Sequence, residues 1–128
     1  MEPPTQSIRA RISVLVAGLI SKAKPYQIEK IQRFLSRRAR PATAVEVSRA
    51  IDSVVAISLV CAGQGCLPRS IAVSILCRMN GVWPEWCVGV RREPFMAHAW
   101  LEVNGEPIRE PFPAGYLQTL NRVVAKAG

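Results

Sequence analysis

The sequence predicts an α+β fold, and three observations carry that reading. Apolar residues recur at helical spacing as far as Met79, the pattern changes to runs of β-formers after Asn80-Gly81, and Asn104-Gly105 separates two extended stretches as a hairpin signal. Helices gathered ahead of a small antiparallel sheet define an α+β architecture, not an alternating one. With 49% hydrophobic and 20% charged residues over 128 positions, the chain has a globular balance and enough length for one core. Residues 1–128 are therefore expected to form a single domain, with a helical N-terminal half over 1–60 and a mixed half over 61–128.

Met1 to Ser7, with Pro3 and Pro4, reads as a frayed lead-in, and Ile8 to Ala23 reads as the first helix. Its apolar run from Ile12 to Ile20 contains Ser13 and is about half of what a bilayer span requires, so no membrane span is expected. Arg9 and Arg11 imitate the charged start of a signal peptide. Lys22, Lys24 and Pro25 follow, however, where a small-residue cleavage site belongs. A second helix follows Pro25, with Ile28, Ile31 and Leu35 on one face and Lys30, Arg33 and Arg37 elsewhere, the pattern of a basic surface helix.

Pro41 ends that segment, and Thr43-Ala44-Val45-Glu46 spells a capping box for a third, buried helix reaching Cys61. Gly63 and Gly65 stop it and begin a tight turn. Cys66 opens a fourth helix that runs through Ile71, Ile75 and Leu76 to Met79, with Asn80-Gly81 as a left-handed cap. Pro68 falls in its first turn, where a missing N–H has no intrahelical partner to lose. Trp86 to Val90, Phe95 to Val103 and Pro107 to Glu110 then read as three antiparallel strands, which Pro111 and Pro113 break off. Ala114 to Lys126, carrying Leu117, Leu120, Val123 and Val124, reads as a last helix.

The charge is strongly basic, +8 overall, with +6 in residues 1–60 and +2 in 61–128. Such a face suits nucleic acid, an acidic peptide or an anionic surface. No RNA-binding aromatic signature or zinc-finger spacing accompanies it, so nucleic acid is not expected as a partner. The four cysteines, Cys61, Cys66, Cys77 and Cys87, lack a secretion signal, which points to free thiols in a reducing cytoplasm. None is spaced C-x-x-C, and neither a metal nor a cofactor is expected.

The stretch from Cys66 to Glu110 carries the chemistry. At a helix N-terminus, unpaired N–H groups and the positive end of the macrodipole favour an anion, so a thiolate at Cys66 is stabilised. A thiol hydrolase also needs an imidazole in reach and a third group to orient it. The sequence contains one histidine, His98, flanked by the small residues Ala97 and Ala99. Glu102, Glu106 and Glu110 are the candidates for the third group, and hairpin register decides among them. A two-residue loop at Asn104-Gly105 turns Glu110 to the other sheet face. A three-residue loop ending at a left-handed Gly105 pairs Glu102 with Glu106 and places Glu110 opposite His98. The glycine position suits the second register, which makes Glu110 the expected orienting acid. Gln64 is a candidate oxyanion-hole donor beside the Cys66 N–H, although a turn residue is its plainer reading. Trp100 is expected as a core plug lining the site, and Ser70 as a back-bonded helix residue.

Cys66-Leu67-Pro68-Arg69-Ser70, Val88-Gly89-Val90-Arg91-Arg92, Pro94-Phe95 and His98-Ala99-Trp100-Leu101-Glu102 with a short return strand resemble the transglutaminase-like leader peptidases of lasso-peptide biosynthesis. The resemblance covers residues 60 to 112, and the Phe-x-x-His-Ala-Trp block is its most specific part. It implies a papain/transglutaminase-like catalytic core over 61–128, in which a nucleophile helix packs on the sheet. It also implies a Cys-His-Asp triad, which carries over to Cys66, His98 and Glu110, with glutamate standing where the family generally has aspartate. The implied activity is that of a cytoplasmic bacterial cysteine endopeptidase that removes the leader of a ribosomally made precursor peptide. The implied partners are that precursor, a separate leader-recognition protein, expected because 128 residues leave no room for a recognition domain, and an ATP-dependent lasso cyclase. Two other readings remain open: a non-catalytic binding subunit of the same machinery, and acyl transfer by the same thiol to an amine.

Overall fold

The computed structural model describes residues 4–58, 65–93 and 95–125, the side chains of 4–6 excepted. Among the described residues there are four helices and a small antiparallel sheet, an α+β arrangement. In chain order these are α1 (Pro4–Ile20), α2 (Pro25–Leu35), the two-residue β1 (Arg40–Pro41), α3 (Ala44–Ile57) and α4 (Cys66–Met79). They are followed by β2 (Val82–Trp83), β3 (Glu85–Arg92), β4 (Phe95–Val103), β5 (Glu106–Pro107) and β6 (Gln118–Val123). None of the helices among these residues is long and apolar enough to cross a membrane.

Helix α4 is the axis of the molecule, since eight consecutive residues from Ser70 to Cys77 are buried. A helix apolar all round is stable only when neighbours cover every face. Helices α1 and α3 and the strands β2, β3 and β4 all pack against it. Helix α1 contributes the small buried residues Ala10, Ser13 and Ala17, and Ser13 donates back to the Arg9 carbonyl at 2.9 Å. It begins at Pro4, earlier than the expected Ile8, because proline is well suited to the first helical turn. Helix α3 starts as its capping box requires, with Glu46 N–H on Thr43 Oγ1 at 3.2 Å and Thr43 N–H on Glu46 Oε1 at 2.9 Å. It stops at Ile57, short of the expected Cys61, which lies outside the described residues. Helix α4 ends at Asn80, and Gly81 takes the left-handed φ of +83°.

The four-stranded sheet has the order β5-β4-β3-β6, and every neighbouring pair is antiparallel. Two of its elements correct the sequence reading. The first is β6, where a helix was expected over Ala114 to Lys126. The spacing of Leu117, Leu120, Val123 and Val124 fits a helix, but the free edge of β3 offers a ladder, and pairing there leaves Leu117 and Val123 buried with Leu120 and Val124 exposed. Trp83 Nε1 donates to the Val123 carbonyl at 3.1 Å and pins the strand. The second is the β4–β5 connection, where a three-residue loop was expected. Val103 pairs with Glu106 across a two-residue turn, with Asn104 at φ +54° and Gly105 at +81°. Both central residues are left-handed, which is the turn whose twist matches the strands. The Glu85 carboxylate holds it by accepting from the Asn104 and Gly105 N–H groups at 2.7 and 3.3 Å. The third expected strand, Pro107 to Glu110, is reduced to Glu106–Pro107. A short parallel pair, β1 with β2, was not foreseen, since two residues carry no periodicity to read.

Candidate active site

Three elements converge on one point. Helix α4 begins with Cys66, β4 supplies His98, and the chain leaving β5 supplies Glu110. His98 Nε2 and Glu110 Oε1 lie 2.6 Å apart, with 18% and 9% of the respective side chains exposed. Cys66 and His98 act on each other, each shifting the other's pKa. The Ala99 N–H acts on the thiol as well, favouring its anion.

The electrostatics follow from these contacts. The hydrogen bond from His98 holds the Cys66 thiol below its ordinary range, and the Ala99 N–H and the charges of His98 and Arg69 act in the same direction against partial burial. His98 moves the opposite way, up to about 9, first through Cys66 and then through Glu110. One pKa falls and its partner's rises, so the pair favours the thiolate–imidazolium form, in which the sulfur is a ready nucleophile and the ring a ready acid. Cys77 and Cys87 are buried, and desolvation pushes each thiol up to about 12. Neither is ionised at neutral pH.

Trp100 is buried beside the imidazole, its ring parallel to that of His98 with centroids 6.0 Å apart. Its indole N–H donates to Glu102 Oε2 at 2.7 Å, and the other oxygen of this buried carboxylate pairs with Arg122. Glu102 therefore supports the ring stacked on His98 and does not contact His98 itself. Trp100 lies over Gly89, the residue paired with His98 on β3. A Cβ at Gly89 would stand 2.7 Å from Trp100 Cη2 and 2.5 Å from the Gln118 carbonyl oxygen, so glycine is the side chain that lets this ring lie flat. Ser70 Oγ donates back to the Leu67 carbonyl at 2.9 Å and accepts from Trp86 Nε1 at 3.1 Å.

The sequence did not single out Phe112, Tyr116 or the Ala99 N–H. Phe112 meets the His98 ring edge-on at 5.6 Å and stacks on Tyr116 at 5.7 Å. The Pro-Phe-Pro context of Phe112 marked only the end of a strand. Two clefts open beside His98, Glu110 and Pro111. One of about 380 Å³ is walled by Met96, Phe112, Pro113 and Tyr116, and the other, of about 460 Å³, by Ile51, Val55, Arg69 and Arg109. Gln64 lies outside the described residues. Among those described, no group of three His, Cys, Asp or Glu side chains is arranged to hold a metal ion.

A helix-borne thiol facing a strand-borne imidazole and a carboxylate defines the class of thiol-hydrolase-like α+β proteins. A family model described as the transglutaminase-like superfamily matches residues 13–124, and the chain belongs to that superfamily. Cysteine peptidase and acyl-transfer chemistry are the activities usual to it. No curated protein and no solved structure matches the chain.

Proposed function

We propose that the protein is a cysteine endopeptidase that removes the leader from a ribosomally made lasso-peptide precursor, so that an ATP-dependent cyclase can act on the core peptide. The observation that carries the peptidase reading is the contact set Cys66–His98–Glu110. The lasso-peptide assignment rests on the resemblance of the Phe95-x-x-His98-Ala99-Trp100 block and the Cys66 helix start. In this reading the Cys66 thiolate attacks the scissile carbonyl, and the oxyanion forms beside the Cys66 N–H at the start of α4. His98 gives its proton to the leaving amine, which departs and leaves a thioester. His98 then takes a proton from water as that water attacks the thioester, releasing the carboxylate product and the thiol. Glu110 stabilises the imidazolium and fixes its ring.

A separate recognition protein delivers the precursor, and the basic helical half is the docking face for it or for an acidic leader. A non-catalytic binding subunit is the alternative, and the 2.6 Å contact of Glu110 with His98 supports the catalytic reading over it. Acyl transfer uses the same thioester with an amine in place of water. The test is to incubate the protein with the precursor peptide encoded beside its gene, with and without the neighbouring recognition protein. Product masses separate hydrolysis from amine transfer. Intact precursor in every arm overturns the reading.

A further inference from the structure

The hairpin that delivers Glu110 is irregular at one residue, and the irregularity falls where the site is assembled. Val103 faces Glu106 and Glu102 faces Pro107, and the Ile108 N–H donates to the Leu101 carbonyl at 2.9 Å. Extended two residues at the same register, this ladder pairs Ala99 with Glu110. It then commits the Ala99 N–H to the Glu110 carbonyl and turns the Glu110 side chain to the sheet face opposite His98, because side chains alternate and paired residues share a face. The chain does neither. Arg109 takes φ +59°, the Glu110 carboxylate meets His98, and the paired register ends at Pro107.

A left-handed backbone at a residue with a Cβ is disfavoured by the clash with its own carbonyl, so surrounding contacts must hold it. Arg109 is so held. Its guanidinium crosses to α3, where Nη1 donates to Asp52 Oδ1 at 2.7 Å and to Ser48 Oγ at 3.0 Å. We infer that Arg109 is a positioning residue of the site: its left-handed turn, tied to Asp52 and Ser48, ends the β4–β5 ladder where Glu110 can reach His98. The inference rests on the reading of Cys66 as the nucleophile. It gives the helical half a part in the chemistry, since α3 holds the turn that the catalytic hairpin needs.

The test reads Cys66 without a substrate. The full-length protein is alkylated with iodoacetamide across pH 5 to 10, and modification at Cys66 is followed by tandem mass spectrometry. Arg109→Ala and Arg109→Gly both remove the side chain and differ in how freely they adopt the left-handed turn. Arg109→Ala is expected to raise the midpoint of the alkylation profile by about one unit, while Arg109→Gly keeps the wild-type midpoint to within about 0.3 unit. Asp52→Asn, which loosens the tether, raises the midpoint too, and adding Arg109→Gly to Asp52→Asn restores it. If Arg109→Ala does not fold, this second pair carries the same contrast. Coincident profiles for Arg109→Ala and Arg109→Gly, or an unaltered profile for Asp52→Asn, overturn the positioning role. A wild-type profile like that of an ordinary thiol overturns the nucleophile reading itself, and a lowered wild-type profile with indifferent variants overturns only the role of Arg109.

Discussion

His98 is the one histidine in the chain, so its ring titrates as a single assignable resonance. The structure raises its pKa from 6.5 to about 9, through Cys66 first and Glu110 second. The sign follows from the direction. A raised pKa contributes stability that is complete below 6.5 and is lost as pH climbs through about 9. Following the imidazole Cε1–H by NMR from pH 5 to 11 should give a midpoint near 9. Cys66→Ala should lower it most and Glu110→Gln less, each by about one to two units as a close partner charge is removed. The alkaline limb of any peptidase activity should follow the same midpoint, because His98 must carry the proton it gives to the leaving amine. A wild-type midpoint near 6.5, or a midpoint that neither variant moves, refutes the coupled thiolate–imidazolium reading.

Three further outcomes follow from the same contacts. Cys66→Ala should abolish leader removal, as read by product mass, whereas Cys77→Ala and Cys87→Ala should retain it if folded; full cleavage by folded Cys66→Ala would end the thiol-peptidase reading. Glu110→Gln should cut kcat/KM by about a hundredfold or more without altering the fold, since an amide can orient the ring but cannot stabilise its charge. Glu102→Gln should instead cost about 1–3 kcal/mol of stability with kcat largely kept, because it leaves the paired Arg122 and Trp100 short of their acceptor; the reverse ranking in denaturant melts and kinetics counts against the roles given to the two acids. Gly89→Ala should destabilise by about 1–3 kcal/mol as its Cβ meets Trp100 and the Gln118 carbonyl, and an unchanged melting temperature with unchanged tryptophan fluorescence would show that the ring does not lie where the structure has it.

Local signals were legible and long-range ones were not. The Thr43–Glu46 box, Pro25 at the start of α2, and Cys66 and Asn80-Gly81 at the ends of α4 are each set by residues within one turn of one another, and each was read in place. The helix expected over Ala114 to Lys126 failed because its apolar spacing serves a helix or, with Leu120 and Val124 exposed, a strand. Only the unpaired edge of β3 decides between them, and no residue in the segment announces that edge. The loop at Asn104-Gly105 failed differently. Both turn types accommodate a left-handed glycine, so the position of Gly105 alone does not distinguish them. The two-residue turn formed because Asn104 is also left-handed and Glu85, from another strand, caps both N–H groups.

That error bears on how Glu110 reaches its place. With a two-residue turn, strand parity alone sends Glu110 away from His98, yet the two side chains touch, so the parity is reset between Ile108 and Glu110 by Arg109. The reset also draws the chain off the β4 edge, since no regular β pairing continues past it. A carboxylate that starts from a chain leaving the sheet needs reach, and glutamate supplies one methylene more than the aspartate of the resembled family. The longer acid and the left-handed turn are thus parts of one solution. A Glu110→Asp substitution, conservative on paper, removes length from a 2.6 Å contact whose backbone is held by Asp52 and Ser48 through Arg109.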